Sequence, residues 1–107
     1  VVPVVRKEGG RVKLEVNPFR MGTDKEAALK PLEEAAEVFG AWQDCNECEL
    51  YEKSHCLKCD CFEVNALAYE IADCITACCN LAARHNLDLQ RALAYVEDHN
   101  RERGRYD

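Results

Sequence analysis

The chain lacks the runs that would commit it to a membrane or to a polyanion. Nowhere in its 107 residues does an apolar stretch approach the roughly 18 uninterrupted residues of a spanning helix. Basic residues are outnumbered 14 to 20, and the formal charge of −6 argues against non-specific nucleic-acid binding as the main task. No internal repeat and no low-complexity linker divides the sequence, so a single domain with a modest core is expected. The opening Val1–Val5 run is too short for a signal peptide and has no basic leader, which makes the cytoplasm the expected location. Prolines are few, three in all, and each punctuates: Pro3 tolerates an edge strand only, Pro18 ends an extended stretch, and Pro31 interrupts a helical pattern.

Between these marks the periodicities are plain. Val2, Val4, Val12, Leu14 and Val16 alternate with polar residues around Gly9-Gly10, which predicts a β-hairpin over residues 1–19. Thr23-Asp24-Lys25-Glu26 has the form of a capping box and opens a helix over 24–42 that carries Ala28, Leu32, Ala35, Ala36 and Phe39. Pro31 is expected to kink or split that helix. Residues 43–61 are polar and Cys-rich. A second helix, over 62–85, has a broad apolar stripe through Leu67, Ile71, Cys74, Ile75, Cys78, Leu81 and Ala82. Asn86 reads as its left-handed stop and Asp88 as the N-cap of a third helix over 88–103, expected to bury Leu89, Leu93 and Val96 before Gly104. The predicted fold is all-α: a helical bundle completed by oligomerisation, with a small N-terminal hairpin and a Cys-rich insertion. The second helix is apolar almost all round, which calls for a partner helix from another copy, in a homodimer or homotetramer.

Acidic residues carry the chemistry. Glu33-Glu34-x-x-Glu37 and Glu70-x-x-Asp73 each lie in an apolar helical stretch. Residues three apart on a helix share a face, so Glu34 with Glu37 and Glu70 with Asp73 form two carboxylate pairs. Facing one another across a helix pair, they would repel unless a hard divalent cation sat between them. A solvated acidic face is the bland alternative for one such cluster. Against it, Glu70 and Asp73 are flanked by Ala68, Tyr69, Ile71, Ala72 and Cys74, which places part of that face near the core. Lys30, four residues before Glu34, is positioned to neutralise a carboxylate or hold a phosphate oxygen.

Lys30-x-x-Glu33-Glu34-x-x-Glu37 followed by Glu70-x-x-Asp73 resembles the EExxE…ExxD signature of the MazG-type, all-α nucleoside triphosphate pyrophosphohydrolases, and Asn100-x-x-Arg103-Gly104-Arg105 is similar to the basic segment that follows it. The resemblance runs from about Asp24 to Tyr106. It implies Mg²⁺ (or Mn²⁺) held by Glu34, Glu37, Glu70 and Asp73. Glu33 or Glu37 would then activate water, with Glu33 otherwise a further ligand, and Lys30, Asn100 and Arg103 would contact a nucleotide triphosphate. The implied reaction releases pyrophosphate from (deoxy)nucleoside triphosphates. Two departures stand out: the spacer between Glu37 and Glu70 is longer than usual for the family, and Pro31 lies beside the metal-binding stretch.

Cys45-x-x-Cys48 and Cys56-x-x-Cys59-x-Cys61 have the paired spacing of a structural zinc knuckle. Cys45, Cys48, Cys56 and Cys59 are the candidate ligands, with His55 and Cys61 in reserve. Reduced thiols and disulfides are the alternatives. Cys74, Cys78 and Cys79 read as small packing residues, as do Trp42 and Tyr69 as large ones. The rival to an enzyme is a zinc-stabilised helical adapter with no catalytic role, whose acids would splay over an outer face instead of converging; a metal-binding relative without activity is a third reading.

Overall fold

The computed structural model describes residues 12–46 and 66–107. Three helices follow in order: α1 (Asp24–Asn46), α2 (Ala66–Arg84) and α3 (Leu89–Glu102). No strand occurs among the described residues. Val12–Val16, the second half of the predicted hairpin, runs without a ladder, and its intended partner lies outside the described residues. The Cys-rich insertion also lies outside them, except that Gln43–Asn46, predicted to belong to it, continue α1 instead.

Local signals set the helix ends. At the start of α1 the Glu26 N–H donates to Thr23 Oγ1 at 3.2 Å, while the Thr23 N–H donates to Glu26 Oε1 at 3.1 Å, a reciprocal capping box. These bonds, the backbone one first, hold the Glu26 carboxyl below its ordinary range. Gly22 just before the cap has φ +26°, and a Cβ there would lie 2.8 Å from Glu26 Oε1. Asn86 takes the left-handed conformation at φ 54°. Asp88 caps α3 by accepting from the Arg91 N–H at 3.0 Å, and Gly104, φ 73°, follows its end. Pro31 lies inside α1 and does not split it. The ring removes one rung, but the rungs on either side and the packing of α1 on α2 carry the helix across the gap.

α1 and α2 pack along one another, and this pair is the body of the described fold. Its core is small and partly polar: Ala27, Ala77 and Ala82 are buried, and so are Glu34 and Asn80. The apolar pattern of α1 faces the other way. Leu32 is 71 % exposed and Phe39 59 %, with Trp42 stacked on Phe39 at 5.6 Å between ring centroids, so Trp42 is no core residue among the described ones. Tyr69 and Ile71 on α2 are exposed as well. α3 does not pack extensively on the pair, and Leu93 and Val96, predicted to be buried, are about half exposed. A stripe is buried only when something packs on it; within one copy and the described residues, little does. α2 has the length and mean hydropathy, 19 residues and 1.2, of a membrane-spanning helix. Yet it carries two acids and a buried Asn, as expected of a helix packed against another.

The segment before α1 is tied to the far end of α2. The Phe19 N–H donates to the buried Asn80 Oδ1 at 2.8 Å, Arg84 Nη1 donates to the Met21 carbonyl at 3.0 Å, and Asp24 Oδ1 lies 3.3 Å from Arg84 Nε and 2.7 Å from His85 Nε2. His85, just beyond the end of α2, is thus part of a tether. Replacing Asn80 by Ala removes the acceptor and leaves its space unfilled. Unfolding free energy should fall by about 1–2 kcal/mol, and limited proteolysis should cut residues 12–21 sooner than in the parent.

Candidate metal centre

Glu34 and Glu70 come from different helices, and the α1–α2 packing brings them face to face. Within α2 a spacing of three sets Asp73 on the same side as Glu70. One carboxylate oxygen from each of Glu34, Glu70 and Asp73 lies within 4.8 Å of the other two. Glu34 is 5 % exposed, the most buried acid of the group, and Glu70 and Asp73 are half-buried. Three like charges this close, one removed from water, cost free energy unless a cation or protons offset them.

One offset is visible, and it is incomplete. Lys30 Nζ lies 3.1 Å from Glu34 Oε1 and 3.4 Å from Glu33 Oε2. The Glu34 carboxylate, then Glu33, raises the ammonium's pKa. Glu37, one turn beyond Glu34, completes the rim from the solvent side. Its carboxyl is held above the ordinary range, first by the hydrogen bond and charge of Glu34, then by Glu70. Even so, Glu34 Oε2 and Glu70 Oε2 are buried and have no hydrogen-bond partner. Buried carboxylate oxygens seldom stay unpaired. Two orphaned carboxylate oxygens within a group of acids this close fit a hard cation that prefers oxygen ligands.

The structure thus gathers Glu34, Glu70 and Asp73, with Glu37 at the edge. Glu33 is not gathered: its side chain is 64 % exposed and engages Lys30. Lys30 is beside the site, but it is committed to the two acids. Asn100 and Arg103 sit at the end of α3, and no hydrogen bond or ion pair joins them to the acids, so the described residues of one copy do not deliver them to the centre. Of the proposed zinc ligands, Cys45 falls in the last turn of α1, and Cys48, Cys56 and Cys59 lie outside the described residues. The sequence reading missed Asn80 and Arg84, which line a cavity of about 340 Å³ under Phe19 and Met21. A lone Asn between Cys79 and Leu81 on an apolar helix was the available signal for Asn80.

No family model, curated protein or solved structure matches this chain.

The raised Glu37 carboxyl has a stability consequence. Above the ordinary carboxylate range the folded protein holds a proton that the unfolded chain has released, so stability falls as pH rises through that window. In metal-free protein, Glu37→Gln should flatten the fall of melting temperature with pH starting near pH 4.5, the ordinary glutamate value. A slope equal to the parent's would remove Glu37 from the cluster.

Proposed function

We propose that this chain is a Mg²⁺- or Mn²⁺-dependent nucleotide pyrophosphohydrolase that cleaves (deoxy)nucleoside triphosphates to monophosphate and pyrophosphate. The observation carrying this reading is the convergence of Glu34, Glu70 and Asp73, with two buried oxygens lacking partners. An adapter that used its acids to bind a basic partner would gain nothing from turning them inward, so the geometry favours the enzyme.

Glu34, Glu70 and Asp73 would hold the metal, with Glu37 as the ligand nearest solvent. A divalent ion there supplies charge neutralisation for phosphate oxygens and a lowered pKa for water. The chain's own groups do the rest. Glu37 is exposed to solvent beside the buried acids, a position from which a carboxylate could take a proton from attacking water. Glu33, exposed and hydrogen-bonded to Lys30, fits an orienting role better than a ligand's. Lys30, now paired with Glu34, would be available to a phosphate oxygen if that carboxylate were engaged by a cation, and basic side chains would meet the charge developing on the pyrophosphate leaving group. Asn100 and Arg103 serve the triphosphate only if α3 of another copy, or a repositioned α3, brings them in.

That condition is the reason to propose a homodimer or homotetramer. Leu32, Phe39, Tyr69 and Ile71 are exposed on the helix pair, and the Leu93 and Val96 stripe lies open on α3. Helices with such faces associate to bury them. Light scattering behind size exclusion should return two or four times 12.1 kDa, and Leu32→Glu combined with Phe39→Glu should lower that mass. A monomeric parent would remove the proposed route for Asn100 and Arg103.

The decisive assay incubates a nucleotide panel with Mg²⁺ or Mn²⁺ and follows pyrophosphate release. Glu34→Gln and Asp73→Asn should each reduce turnover by at least a hundredfold and weaken Mn²⁺ binding in parallel. Mn²⁺ binding without pyrophosphate release from any nucleotide would keep the metal centre and discard the hydrolase.

A further inference from the structure

A second group of ligand-type side chains lies on α2 beside the acidic centre and takes no part in it. Cys74, Cys78 and Cys79 are free thiols, with Cys74 and Cys79 half-buried and Cys78 exposed. Cys74 and Cys78 are one helical turn apart and share a face. The Cys74 sulfur also lies 3.9 Å from the Pro31 carbonyl of α1, which fixes it at the helix interface. Cys79, adjacent to Cys78, points about a quarter-turn away.

What this pair can hold follows from lengths. Cβ atoms four apart on a helix are about 5–6 Å apart, whereas a disulfide needs about 3.5–4.5 Å. A direct S–S bond would therefore require α2 to deform. A soft centre bonded to both sulfurs adds two arms of about 2.3 Å each, typical of metal–thiolate bonds, and spans the gap with the helix intact. Thiolates also prefer soft centres over the hard cations that suit carboxylates.

We propose that Cys74 and Cys78 form a two-thiol clip for a thiophilic centre of the trivalent-arsenic class, separate from the carboxylate site one residue away. The reaction needs no oxidant. An arsenic(III) oxide R–As=O meets two thiols; both S–H bonds break, two As–S bonds form, the oxygen leaves as water with both protons, and arsenic stays trivalent. The site does not depend on the hydrolase reading, since it uses no carboxylate.

The test uses the full, reduced chain and phenylarsine oxide in excess. Remaining thiols are alkylated and the protein is cut after glutamate. The peptide between Glu70 and Glu97 contains Cys74, Cys78 and Cys79 and no other cysteine, so mass spectrometry reads this site apart from the Cys-rich segment. It should carry one bridging phenylarsenic group with Cys79 alkylated. Cys74→Ser and Cys78→Ser should each cut that adduct at least tenfold, and Cys79→Ser should leave it unchanged, with equal helical circular dichroism in all three. An unmodified parent peptide, or an adduct that survives Cys74→Ser, overturns the proposal. Mn²⁺ binding on the same samples reports the acidic centre separately, so failure of either site is told apart from failure of the other.

Discussion

The structure turns on negative charge confined between two helices. Glu34 is almost wholly removed from water, and Glu70 and Asp73 approach it from across the interface. Such a cluster is tolerable only if its charge is balanced, and a lysine supplies part of that balance. The remainder explains why two oxygens are left without partners. The proposed function rests on this imbalance: acids that repel one another favour whatever cation can enter among them.

The same constraint accounts for the thin core. A helix pair whose contact face is alanine, asparagine and glutamate buries little apolar surface, so hydrophobic stabilisation within the described residues is small. The large side chains lie on the outer faces instead. Folding, assembly and cation binding are then expected to support one another, because each supplies what the isolated helix pair is short of.

Local chemistry was readable in the sequence, and facing was not. Thr23 with Glu26, Asp88, Asn86 and Gly104 take the roles their residue types imply, because caps and left-handed stops are decided within four or five residues. The acid cluster was legible for a related reason: spacing fixes which carboxylates share a face. Periodicity, however, says that a helix has two faces and not which neighbour meets which. Ala28, Leu32, Ala35 and Phe39 form the apolar pattern of α1, yet Ala27 and Glu34 are the residues the fold encloses. Asn100 and Arg103 match a motif in sequence, but their position depends on where α3 docks, which no local rule decides. The alternation at Val12, Leu14 and Val16 fitted a strand, and those residues instead run without regular structure ahead of Phe19 and Met21, which are bonded to side chains of α2.

The residue at position 22 governs more than its own turn. A hydrogen atom in place of a side chain lets the Glu26 carboxylate curl back over the backbone, and the same bend aims the arm towards Asn80. Any methyl-bearing substitute would sit strained at this positive φ and push that carboxylate aside, so the reciprocal bonds of the first turn would be lost together.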